Sequence, residues 1–85
     1  MEGNILSFTL LKSYTELKDF ASKLGLIFAR SFDLSDGLID YSGTFYHKNN
    51  PIAFFERYEL YIFNTEKNAR RANLLEKKLK ANKFI

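Results

Sequence analysis

Apolar positions along this chain change their spacing several times, and each change marks an element. From Ile5 to Leu11, β-branched and aromatic residues mix with Ser7 and Thr9 in partial period-two alternation, which predicts a strand. Ser13-Tyr14-Thr15-Glu16 then fits a capping box, in which the serine hydroxyl and the glutamate carboxylate each satisfy an orphan backbone N–H of a starting helix. Leu17, Phe20, Ala21 and Leu24 follow at i, i+3, i+4 and i+7, and Gly25 stands where a left-handed cap is expected. The pattern predicts a helix over Tyr14 to Leu24.

Leu26 to Phe32 resumes strand character, and Asp33-Leu34-Ser35-Asp36-Gly37 supplies a turn. Leu38 to Lys48 reads as a further strand in which Gly43 marks a bulge, and Asn49-Asn50-Pro51 ends it. Ile52 to Phe63 reads as one long strand. Its alternation sends Phe54, Glu56, Tyr58, Leu60 and Ile62 to one face, and Ala53, Phe55, Arg57, Glu59, Tyr61 and Phe63 to the other. A last helix begins at Thr65 as N-cap and runs to about Asn82, with Ala72, Leu75 and Leu79 as a narrow apolar stripe. The order β-α-β-β-β-α predicts an α+β fold of two layers, an antiparallel sheet of three to four strands with two helices on one face.

Length and composition bound the rest. At 85 residues the chain (1–85) is expected to be one domain, and nine Phe with five Tyr give it large side chains to bury. The absence of Cys excludes a disulfide framework, a thiolate nucleophile and a Cys-based zinc site, and fits a reducing cytoplasm. Met1-Glu2-Gly3-Asn4 has no basic leader character, and the apolar runs are too short to cross a bilayer, so the expected location is cytoplasmic, without membrane contact. No motif calls for a cofactor.

Charge is distributed unevenly. Residues 65–85 carry seven basic side chains against two acidic ones, a balance of +5, whereas the first 64 residues carry six basic and eight acidic, a balance of −2. On a helical wheel Lys67, Arg70, Arg71, Lys77 and Lys78 gather on one arc with Leu74 inside it, and Glu76 with Lys80 forms a favourable i,i+4 pair. Such an arc suits RNA phosphates or an acidic protein surface. It equally suits a solvated outer face, and the enclosed leucine tilts the reading towards contact.

Aromatic side chains form a second set of candidates. Phe45, Tyr46, Phe54, Phe55, Tyr58, Tyr61 and Phe63 exceed what a small sheet hides under two helices, so some are expected to form a stacking surface or a dimer seam. Tyr46, beside His47 and Lys48, and Tyr58, beside Arg57, are the stacking candidates. Core packing is the competing role for most of the Phe. Asp33, Asp36 and Asp40 lack the ligand spacing of a calcium loop and are better explained by turn chemistry. His47 is the one imidazole, a thin basis for general-base catalysis, and no Walker loop, dinucleotide fingerprint or serine elbow is present.

From Ser13 onward, the order helix, three strands, helix is similar to the double-stranded-RNA-binding domain. Thr65-Glu66-Lys67-Asn68-Ala69-Arg70-Arg71-Ala72 resembles the basic opening of that family's second helix, which implies phosphate contacts from Lys67, Arg70 and Arg71. The glycine-rich, lysine-paired run that the family carries before this helix is missing here. Short length, abundant Phe, Tyr, Asn, Lys and Ile, and no Cys also resemble the small accessory proteins of T-even-like bacteriophages. The basic terminal helix is similar in style to the TifA-type inhibitors of the ToxN endoribonuclease. That resemblance implies an inhibitor or antitoxin acting in the host cytoplasm, with RNA or a toxin nuclease as partner. The expectation is therefore a non-enzymatic binding protein that engages RNA or an acidic protein through Lys67, Arg70, Arg71, Leu74, Lys77 and Lys78. A self-associating protein that uses a strand edge or its aromatic surface is the alternative, and a small metal-independent ribonuclease built on His47 is a third reading.

Overall fold

The computed structural model describes residues 4–31 and 42–85. Its elements are β1 (Asn4–Thr9), α1 (Tyr14–Lys23), β2 (Ile27–Ser31), β3 (Ser42–His47), β4 (Asn50–Glu56), β5 (Glu59–Asn64) and α2 (Ala69–Ala81). The strands form one antiparallel sheet in the order β1-β5-β4-β3-β2. The two N-terminal strands thus lie at opposite edges, and α1 carries the chain across from one to the other. The fold is α+β with two helices, as the periodicity implied, but the sheet has five strands rather than three to four. The proposed turn at residues 33–37, the strand start at 38–41 and the three aspartates all lie outside the described residues.

The extra strand comes from Ile52 to Phe63, which is a hairpin. Glu56 pairs with Glu59 across the two-residue turn Arg57-Tyr58, where Arg57 takes a φ of 60°. Positive φ at the first turn position matches strand twist, and Gly is the usual residue there. The turn also resets the alternation. Leu60 and Ile62 join Ala53 and Phe55 in the core, leaving Phe54, Tyr61 and Phe63 on the other side. The β3–β4 hairpin turns at Lys48-Asn49, both at positive φ (48° and 67°), the signature of a type I′ turn.

Gly43 is not a bulge. Its partner is Phe55 in regular register, and a Cβ there would lie 2.3 Å from Cζ of Phe28 and 2.6 Å from the carbonyl oxygen of Ala29. Glycine is required because the edge-strand ring lies flat across the neighbouring backbone, continuing to Phe45 at 4.7 Å between centroids. The register slips instead between Phe45 and Tyr46, opposite Ile52. This irregularity leaves both Ile52 and Ala53 in the core, although they are adjacent in sequence.

Both helices cover one sheet face. Leu17 and Ala21 of α1 and Ala72, Leu75 and Leu79 of α2 bury against Phe45, Phe55, Leu60 and Ile62, and Tyr14 stacks on Phe55 at 5.7 Å. Half of the predicted α1 capping box forms: Ser13 Oγ accepts from Glu16 N–H at 3.1 Å, but the Glu16 carboxylate accepts from the Ser13 hydroxyl at 3.1 Å rather than from a backbone N–H. At the other end Leu26 N–H donates to Ala21 O and Gly25 N–H to Ser22 O, a Schellman arrangement with Gly25 at φ 84°. Helix α2 ends the same way, with Lys83 in the left-handed position (φ 62°) and Phe84 N–H donating to Leu79 O. Phe84 is thereby folded into the core, 4.8 Å from Phe20.

Candidate binding surface on the C-terminal helix

Helix α2 starts three residues later than the N-cap at Thr65 would place it. Residues 66–68 form a turn, closed by Asn68 N–H donating to Thr65 Oγ1 at 3.2 Å and to Thr65 O at 3.0 Å. Thr65 therefore caps the turn, and Asn68 occupies the helix N-cap without a side-chain cap bond. The Asn68 side chain is used elsewhere. It donates to Pro51 O at 3.0 Å and accepts from Asn50, which pins the helix start to the β3–β4 hairpin. Asn68 is buried, so these bonds satisfy an amide that would otherwise be costly there.

With Ala72, Leu75 and Leu79 turned inward, the helical period points the cations outward. Arg70, Arg71, Lys77 and Lys78 are exposed on α2, and Lys67 is exposed on the preceding turn. Leu74 is 47% exposed, with these four helical cations at i−4, i−3, i+3 and i+4 around it. Among the described residues none of the five cations has a carboxylate partner. Lys80 differs: it pairs with Glu76 at 2.8 Å and lies over the Phe8 ring at 5.4 Å. Lys12 and Lys18 likewise sit over the rings of Phe84 and Tyr14, at 4.7 and 4.9 Å.

The surface extends beyond the helix. His47 is lowered from the ordinary imidazole value by its partial burial and then by the charges of Arg71 and Lys48, so the hairpin turn adds a cation beside the start of α2. No acidic residue occupies the first turn of α2, where the helix dipole favours one. The positive end of the dipole, Arg70, Arg71 and Lys48 thus reinforce one another. Lys48 was absent from the set expected from the sequence. Its signal was there, in a turn that ends a strand, but pairing that turn with α2 depends on Asn50, Pro51 and Asn68. Beside Leu74, the residues Leu24, Leu26, Ile52, Arg71 and Leu75 line a notch of about 20 Å³.

The stacking candidates do not join this surface. Tyr46 alternates with buried Phe45, so it leaves the helix-free face, between Ile27 and Pro51. Tyr58 is 76% exposed at the β4–β5 turn, the end of the strands remote from Asn50 and Asn68, where its carbonyl accepts from Leu10 N–H at 2.7 Å. Among the described residues no three His, Cys, Asp or Glu side chains gather closely enough to hold a metal ion. No described helix is long and apolar enough to cross a membrane. Comparison with family models, curated proteins and solved structures finds no match for this chain.

Proposed function

We propose that this is a non-enzymatic RNA-binding protein, whose α2 surface tracks phosphates without reading bases. The observation that carries the reading is the set of five exposed cations, Lys67, Arg70, Arg71, Lys77 and Lys78, unneutralised among the described residues and joined by Lys48. Each phosphate neutralised releases condensed counterions, so contacts of this kind give affinity that falls steeply with salt. Tyr46 and Tyr58 have no part in it, since both lie off this surface. In the setting implied by its resemblance to small phage proteins, it acts as an inhibitor or antitoxin that captures a nucleic-acid-processing enzyme in the host cytoplasm.

Titration of a single-stranded RNA oligomer at several salt concentrations tests the reading. Arg70→Glu with Arg71→Glu is expected to weaken binding at least tenfold and to reduce the slope of log affinity against log salt by about 0.7 for each lost contact. Unchanged affinity and slope would overturn it. A second reading is favoured by Leu74 and its notch: an acidic protein surface presenting one apolar side chain. Leu74→Ser separates the two, because it leaves phosphate contacts intact and removes the centre of a protein interface.

A further inference from the structure

The helix-free face of the sheet does not follow the polar alternation expected of a solvated side. Its cross-strand register arranges it in three rows. The row nearest the β3–β4 hairpin contains Ile5, Phe63, Pro51, Tyr46 and Ile27. The middle row has Tyr61 and Phe54 at its centre, 6.3 Å apart and stacked, between Ser7 and Thr44. The third row, at the β4–β5 hairpin, is polar: Glu59 and Glu56 face each other, and Glu59 accepts from Thr9 at 3.1 Å and Ser7 at 3.4 Å.

Ile5 and Ile27, on the two edge strands, are 64% and 68% exposed, and no described helix lies over this face. Five strands about 4.8 Å apart and two same-face rows about 7 Å apart make a band of roughly 300 Å², apolar except for Ser7 and Thr44. A band of that size lies within the range of the largest apolar patch on an ordinary monomer, and such patches often serve contacts. The described strand residues on this face include no Lys or Arg, which removes the phosphate contacts a nucleic acid would need. At its two ends the net charges are opposite: Glu56 and Glu59 with Arg57 in the turn between them at one, and Lys48 at the other.

We infer that this face is the contact between two copies of the chain, packed sheet on sheet about a two-fold axis that runs across the strands. That axis lays the apolar row of each copy on the aromatic middle row of the other. It also brings Glu56 and Glu59 of each copy over the other's Lys48-Asn49 turn. An axis along the strands would instead oppose the two acidic rows, and like charges juxtaposed there disfavour it. Aligned packing of twisted sheets suits the geometry. The modest area implies a dimer that dissociates on dilution. Helix α2 lies on the opposite side of each sheet, so the two readings share only Lys48, and the Ile5 and Ile27 substitutions test the dimer without touching the basic surface.

Sedimentation equilibrium of the full chain, in nuclease-treated buffer at about 10 to 300 µM, tests it. The expected mass is twice the 10.0 kDa of the chain at the upper end. Ile5→Lys with Ile27→Lys, at positions exposed enough to tolerate charge, is expected to give a monomer with unchanged circular dichroism. Lys48→Glu is expected to weaken the dimer at least threefold, and adding Glu56→Lys to restore it. A wild-type monomer across the range, whose open face then belongs to a different protein, overturns the inference. So does a dimer indifferent to the isoleucine pair, and failure of the charge exchange overturns the assigned axis.

Discussion

The two faces of this sheet are built from similar residues and meet opposite fates. Beneath the helices, Phe45, Phe55, Leu60 and Ile62 are fully buried, whereas Phe54, Tyr61 and Phe63 behind them are only partly covered by one another and by the sheet. Aromatic content therefore says little about where stability resides. Contact with α1 and α2 decides it, since a completely buried large apolar side chain contributes about 1.5–3 kcal/mol more than an exposed one.

The largest effect should come from the covered side. Phe55→Ala removes a ring held between Tyr14 and the sheet and is expected to lower unfolding free energy by about 3–5 kcal/mol in urea titrations. Ile27→Ala, on the open side, is expected to shift it by less than about 0.5 kcal/mol at monomeric concentrations. Equal losses would erase the distinction between the faces. Gly43→Ala comes next, at about 1–3 kcal/mol, because the added carbon meets the backbone oxygen of Ala29 as well as the Phe28 ring.

Three substitutions should stabilise. Lys83→Gly relieves a left-handed φ of 62° and is expected to raise stability by about 0.5–1 kcal/mol, while leaving Phe84 in its place. Thermal melts read this directly, and a loss would show that the Lys83 side chain does more than occupy the cap. The smallest effect sharpens the account of the basic surface. Arg70→Glu and Arg71→Glu each put an acid in the first turn of α2 and are expected to stabilise the fold by about 0.3–1 kcal/mol while RNA binding falls. If stability and binding fell together, the arginines would be structural.

What could be read in advance was mostly what a single element determines. Ser13, Glu16 and Gly25 announce α1 because its cap contacts span only a few residues. The outward arc of α2 needed only the helical period. Ile52 to Phe63 concealed a turn because Arg57-Tyr58 lacks the Gly or Asn that normally signals one, and Arg57 takes the positive φ instead. Gly43 interrupts a strand pattern in the same way whether it forms a bulge or accommodates a neighbouring ring. Distinguishing the two requires knowing that Phe28 lies alongside. Lys48 joined the candidate surface, and Tyr46 left it, through strand pairings that no local pattern records.

The path of α1 across the sheet also shapes how the molecule assembles. Strands β2 to β5 form a meander of neighbouring hairpins, whereas Asn4 of β1 must wait for Asn64. During synthesis the first strand emerges long before its docking site exists, and such distant closure is slow compared with hairpin formation. Strand β1 is then placed to dock late, and Leu6 and Phe8 lack their core contacts until β5 is complete.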